Sequence, residues 1–420
     1  MQELSIGDSS YLFTCTVLVM LMTPGLALFY SGMVRSKNVL STTMHSYVTM
    51  GIVSIQWILI GYTLAFGGDY AGIIGGLNFL GLKGVGIAPN ADYAATIPHS
   101  LFMMFQLMFA IIAPALISGA YAERFKFSAF LLFTLLWTTL VYDPVAHWVW
   151  GVGGWLRNLG ALDFAGGNVV HISSGVSGLV VALVVGKRKS LRSIRPHNLP
   201  LTMLGVGLLW FGWFGFNAGS ALALNDVAMN AFITTNTAAA AAGLSWMFAE
   251  WIVSKKPTAL GFGSGVVAGL VAITPAAGFV TPVSAIWIGL GGGVICYFSV
   301  NFMKKKFGYD DALDAFGCHG IGGTWGAIAT GLFATKAVNS AGADGLFYGN
   351  PHQLLVQIIS IGATYIYAIV ATFVILMAIK LVMKLRATNE EEALGLDVSQ
   401  HGETGYGQLT LEGSEGGMGV

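Results

Sequence analysis

Along this 420-residue chain, apolar positions do not alternate with polar ones. They run on for about 18 residues or more, the length a helix needs to cross a hydrocarbon layer of about 30 Å. Eleven such runs begin near residues 10, 46, 99, 128, 162, 199, 230, 258, 281, 312 and 353. The pattern predicts an all-α polytopic membrane protein with eleven transmembrane helices, and an odd number puts the termini on opposite faces. The basic residues between the runs set the direction. With the N-terminus outside, seventeen of the twenty lie on the inner side, among them Lys187, Arg188, Lys189, Arg192, Arg195 and Lys304 to Lys306. Only Lys83, Arg157 and Lys336 then fall outside, so the positive-inside rule predicts an external N-terminus and a cytoplasmic C-terminus. The opening stretch MQELSIGDSS lacks the basic region of a cleavable signal, and the first run is expected to stay as a span.

Composition sharpens this picture. The chain is 55% hydrophobic and 10% charged, with a mean hydropathy of +0.72, so its solvent is lipid, in the cell membrane. A formal net charge of zero offers nothing to nucleic acid. Cys15, Cys296 and Cys318 lie inside apolar runs without paired spacing, which points to packing rather than to a disulfide or a metal site. Residues 1–386 read as one membrane domain. Residues 387–420 are acidic, glycine-rich and too poor in apolar side chains to build a core. That tail reads as either a flexible solubilising end or a regulatory docking segment.

The polar residues inside the runs carry the candidate chemistry. LDFAGGNVVH opens the fifth run and LDAFGCHGIGG the tenth, each an acid followed by glycines and a histidine. Five runs separate them, so two such halves have opposite topology: two inverted five-helix repeats plus a last helix, a plan that sets a site at the repeat interface near mid-membrane. At about 1.5 Å per residue, His171 lies roughly 13 Å below the start of a helix opening at 162, and His319 roughly 10 Å above one opening at 312. Both rings then fall near the middle of the layer, where polar residues face a pathway or a partner. Gly166, Gly167, Gly175 and Gly178 in one run, and Gly317, Gly320, Gly322 and Gly323 in the other, would let the two helices approach closely. Two adjacent imidazoles in a low dielectric suit a small neutral hydrogen-bonding solute such as ammonia or water better than a bare metal cation. No cofactor or metal is expected, and no nucleophile with a base is apparent, so the chain does not read as an enzyme. Asp143 and His147, four apart on one helical face, suggest an ordinary hydrogen bond before a metal site. Asp143 either raises the local cation concentration or pairs with another group. GLGGGV (289–294) lies in a span and reads as packing, not as a phosphate loop.

Six stretches in order, MTPGLALFYSGMVRSKNVL (22–40), AERFKFSAF (122–130), DFAGGNVVHISSG (163–175), GWFGFNAGSA (212–221), ITPAAGFV (273–280) and DAFGCHGIGG (314–323), make the chain resemble the ammonium transporter family, in its bacterial and archaeal Amt branch rather than its Rhesus branch. The resemblance implies an eleven-helix fold and a homotrimer with one pore per subunit. It also implies roles: Trp150, Phe109 and Ser220 as an external recruitment site, Phe109 and Phe216 as a gate, and His171 and His319 as the pore lining. Asp163 orients the outer site, and Trp213 and Thr274 stand at other pore or vestibule positions. Ammonium or ammonia is the implied substrate, with methylammonium as its analogue, and a PII-type regulatory protein is the implied cytoplasmic partner. An ammonium sensor built on the same fold is the alternative, although no signalling domain follows residue 386.

Overall fold

The computed structural model describes residues 4–189 and 195–406, so Arg192 and residues 407–420 lie outside the described residues. The chain folds as a helical bundle: α1 (Ile6–Met33), α2 (Ser36–Phe66), α3 (His99–Tyr121), α4 (Phe127–Leu159, turning at 151–154), α5 (Gly167–Val185), α6 (Leu199–Gly219), α7 (Asp226–Ser254), α8 (Ala259–Ile273), α9 (Pro282–Phe307), α10 (Phe316–Gly320 continuing as Ile321–Phe333) and α11 (Pro351–Val382). Each overlaps one of the apolar runs. Among the described residues, eight helices are long and apolar enough to cross a membrane: α1 to α6, α9 and α11. α8 and α10 are shorter, and α7 is interrupted by threonine and asparagine.

The helix starts follow from residue chemistry. Side chains of Ser5, Asn198, Asn225, Thr258 and Thr281 accept the backbone N–H three residues on, closing the first turns of α1, α6, α7, α8 and α9. Proline sits in the first turn of α6, α9 and α11, where a missing N–H costs nothing. Between α2 and α3 a short hairpin, β1 (Asp69–Tyr70) with β2 (Ile74–Gly75), marks one end of the bundle, the hairpin face.

At the opposite end, residues 387–406 lie against the bundle rather than away from it. Asp397 caps α2: its carboxylate accepts the amides of Leu40 at 3.0 Å and Ser41 at 2.7 Å. Asn38 accepts the Leu396 amide at 2.8 Å, and Arg386 donates to Glu392 at 2.6 Å. A short helix, α12 (Asn389–Leu394), carries a reciprocal capping box between Thr388 and Glu391. Composition could not choose between a mobile and a seated segment because the partners that seat it, Asn38, Leu40 and Ser41, are more than 350 residues away in sequence.

Beneath the tail lies a buried ion network. Arg188 reaches Asp310 at 2.7 Å and Glu123 at 3.1 Å, and Arg35 joins Glu123 at 2.9 Å. Burial alone would raise both carboxyls. The hydrogen bonds and charges of the arginines outweigh it, holding Glu123 below its ordinary value and Asp310 down at about 2. A depressed carboxyl contributes stability that is complete above the unfolded value and is lost as pH falls through the folded one. Asp310→Asn is therefore expected to lower the thermal midpoint, since removing one partner of a buried pair costs about 3–5 kcal/mol. The gap to wild type should stay constant from pH 8 to about 5 and shrink toward pH 2. Melting curves across that range check this, and a gap independent of pH down to 2 would refute the assignment.

Candidate functional site

A cavity of about 220 Å³ opens at the hairpin face, walled by Phe66, Phe102, Gln106, Phe109, Trp150, Phe164 and Ser220, with Asp92 and Arg157 also lining it. α3 brings Phe109, the part of α4 just before its turn at 151–154 brings Trp150, and the last turn of α6 brings Phe216, with Ser220 as its C-cap. The Trp150 indole N–H donates to the Asp163 carbonyl at 2.9 Å, which fixes the ring as a wall. Phe109 stands edge-on to Trp150 with centroids 5.9 Å apart, and stacks on Phe216 at 4.2 Å and 29°. Both phenyl rings are buried and close the floor of the cavity. Ser220 spends its hydroxyl proton on the Phe216 carbonyl at 2.9 Å, so its lone pairs remain free to accept.

Below that floor is a narrow lumen lined by Met22, Leu26, Ile112, Leu116, Leu209, Val267, Trp213, His171 and His319. Its free space of about 10 Å³ is near the minimum for one water-sized molecule. The imidazoles lie 5.3 Å apart at 30°, and His171 also stacks on Trp213 at 5.4 Å. Thr274, fully buried, meets both neighbours: Trp213 Nε1 at 2.9 Å and His171 Nε2 at 3.3 Å.

The two histidines are placed by interrupted helices. α5 begins at Gly167, not at 162, and the preceding segment is irregular, with Gly166 at φ +114°. The Asp163 carboxylate accepts the amides of Gly166 (2.8 Å), Gly167 (2.5 Å), Asn168 (2.7 Å) and Val169 (3.4 Å), and so caps that start. Asp311 does the same for α10, accepting the amides of Ala315 at 3.0 Å and Phe316 at 2.8 Å. Each histidine lies eight residues after its capping aspartate, and each falls in a π-helical opening turn, Gly167–Ile172 and Phe316–Gly320. This corrects the sequence alignment of Asp163 with Asp314, which instead bonds Lys304 at 2.6 Å. It also moves His171 from a depth of several turns to the first turns of its helix. The two helices meet backbone to backbone: a Cβ on Gly175 would collide with the Gly320 amide, and one on Gly323 would touch His171 Cβ at 3.0 Å.

This chain matches the Ammonium Transporter Family over residues 10–406. The chain belongs to the ammonium transporter family. It is 65% identical to the ammonium transporter of Bacillus subtilis (strain 168) over 403 residues, covering 96% of this chain and 99% of that one. It is 50% identical to Amt1 of Archaeoglobus fulgidus, covering 96% and 100%. The crystal structure of Saccharomyces cerevisiae Mep2 superposes with a TM-score of 0.87 at 37% identity, covering 93% and 90%. Family membership and the apolar helices together make it a multi-pass membrane protein.

In this member of the ammonium transporter family, Trp150, Phe109, Ser220, Phe216, His171, His319, Trp213 and Thr274 gather along one path, with Asp163 behind its wall. Asp143 and His147 do not bond to each other as their spacing suggested. Asp143 is fully buried and accepts the Gln56 amide at 2.7 Å, so it is sealed from the cavity and pairs rather than gathers cations. His147 instead bridges the Ala65 carbonyl at 3.0 Å and Asp69 at 2.9 Å, tying down the hairpin. Sequence reasoning missed Gln106, whose side-chain oxygen is enclosed in the cavity wall without a partner among the described residues. Its place beside Phe109 on α3 was the available signal. Gly175→Ala is expected to cost about 1–3 kcal/mol through overpacking. Gly178→Ala, whose new methyl would meet the Ala120 Cβ at 3.1 Å, should cost less. Thermal midpoints of the two purified variants test the crossing, and equal midpoints would argue against it.

Proposed function

We propose that this protein moves ammonium nitrogen across the membrane, recruiting NH4+ in the aromatic cavity and passing NH3 along the histidine-lined lumen. The carrying observation is the abrupt change in medium at the Phe109–Phe216 stack: an aromatic cavity with a free serine acceptor on one side, an almost wholly apolar lumen on the other. Ring faces attract an ammonium ion by about 0.5–2 kcal/mol each, and Ser220 accepts one of its N–H groups, which potassium lacks. Taking the intact charge into the lumen costs several kcal/mol. Deprotonation near the gate removes that cost, the ammonia then passes His171 and His319, and the proton either returns outside or crosses separately along the pair. Asp163 acts indirectly, by holding the start of α5 and the carbonyl that anchors Trp150. Eleven spans in two inverted halves, an external hairpin face, a cytoplasmic tail face and a homotrimer complete this reading.

A sensor is the second reading. It is favoured by a solved structure described as a Sensor Amt Protein, which superposes with a TM-score of 0.87 at 32% identity, covering 94% of this chain and 98% of that one. Radiolabelled methylammonium uptake into proteoliposomes separates the two. The wild type should accumulate label, and Trp150→Ala and His171→Ala should lose most of it, with losses on the order of tenfold or more for a group that handles a proton. Equal uptake by all three would contradict the site. Ammonium binding by the wild type without any uptake would favour the sensor.

The tail face, with its docked segment and surrounding lysines, is the surface for a PII-type partner in this reading. Deleting residues 388–420 should abolish copurification with such a protein, and undiminished binding would exclude the tail as a required contact.

A further inference from the structure

Where α2 meets α4, the buried side chains of Gln56 and Asp143 each keep one oxygen unmatched. Both N–H groups of the Gln56 amide are spent, one on Asp143 Oδ2 at 2.7 Å and the other on the Thr139 hydroxyl at 3.1 Å. Thr139 gives its own proton to the Leu135 carbonyl at 2.9 Å, so toward Gln56 it only accepts, and that fixes which end of the amide is nitrogen. Asp143 Oδ1 and Gln56 Oε1 are left over, both enclosed and without a partner among the described residues. An ionised carboxylate has no donor to offer an amide oxygen, whereas a protonated one has a single O–H.

Charge points the same way. The Asp163 carboxylate, equally enclosed, is met by four backbone amides. Asp143 meets one N–H of a neutral amide, and no lysine, arginine or histidine among the described residues forms a salt bridge with it. A bare carboxylate in that place would hold a charge its surroundings do not answer. A metal cation would need more oxygens than this pair presents.

Resting on the transport reading above, we propose that Asp143 is a positioning residue that holds a proton in the folded protein: its neutral carboxyl closes a double hydrogen bond with the Gln56 carboxamide, and this pair sets the α4 segment that carries the Trp150 wall. The backbone makes room for it. A Cβ on Gly61 would collide with the Gln56 amide, and both helices are π-helical at this level, Trp57–Gly61 just after Gln56 and Thr138–Tyr142 just before Asp143. Pro144 has no N–H to give the turn behind it. Beyond that weakened ladder, side chains fix the segment: Asp143 on Gln56, His147 on the Ala65 carbonyl and Asp69, and Trp150 on the Asp163 carbonyl. Asp143 and Trp150 are seven residues apart, about two turns, and so share one helical face.

Substitutions in the full-length protein separate a proton from a charge. Asp143→Asn keeps the shape and imitates the neutral acid, with an N–H in place of the O–H; Asp143→Ala removes the pair. Infrared spectra of protein carrying 13C-carboxyl aspartate should show the carbonyl stretch of a protonated carboxylic acid at neutral pH, displaced from its unlabelled position and missing from Asp143→Asn. Asp143→Asn should retain the wild-type thermal midpoint and methylammonium uptake. Asp143→Ala should raise the half-saturating methylammonium concentration on the order of tenfold or more, the scale of a displaced binding group, and change the maximal rate less. A wild type without a band that Asp143→Asn lacks overturns the proposal, as does an Asp143→Asn protein that loses uptake, or an Asp143→Ala protein with unchanged half-saturation. Should Asp143→Ala fail to fold, the spectra and the Asp143→Asn uptake still decide. If the wild type takes up no label, the transport reading falls while the infrared band and the melting comparison continue to test the pair.

Discussion

A helix that starts inside a membrane protein exposes four backbone N–H groups with no water to receive them. The Asp163 carboxylate answers that constraint by taking the amides of Gly166 to Val169, and the rest of the path depends on it. Because α5 can begin so late, the segment before it is free to run irregularly past Trp150, whose indole is held by the Asp163 carbonyl. Because the start is fixed, His171 arrives in the lumen within its helix's opening turn. One aspartate therefore anchors the Trp150 wall above the Phe109–Phe216 stack and the His171 ring below it. Asp311 repeats the device for α10 and His319.

Close approach is the second requirement, and it is met by absence of side chains. At Gly175 and Gly320 the helices touch through backbone alone, which brings the two imidazoles to 5.3 Å. Bulk returns immediately outside this crossing. Phe109 and Phe216 fill the level above, and leucine, isoleucine and methionine line the level around it, so the free space stays near the size of one small molecule.

Much of this was legible along the chain. Apolar runs marked every long helix, because lipid imposes a length and composition that no local context overrides. His171 and His319 stood out because an ionisable ring in such a run is rare. Helix starts were less legible. The run from 162 is apolar throughout, and only the three-dimensional placement of the Asp163 carboxylate shows that helix begins at Gly167. The same limit explains the choice of Asp314 over Asp311: both are acids shortly before a histidine, but Asp314 has Lys304 within reach and turns away. Asp143 and Gln56, 87 positions apart, and the tail with its partners on α2 are through-space relations that periodicity does not encode. The contacts of Thr274 with His171 and Trp213 carried no local signal, since those two partners come from α5 and α6.

The seating of Asp397 on the amides of Leu40 and Ser41 links positions more than 350 residues apart. Synthesis proceeds from the N-terminus, so the opening turn of α2 leaves the ribosome and enters the bilayer long before its cap exists. Completion of that turn waits for almost the last described segment to emerge. A chain that stops before Asp397 leaves the amides of Leu40 and Ser41 without that carboxylate at the bundle end.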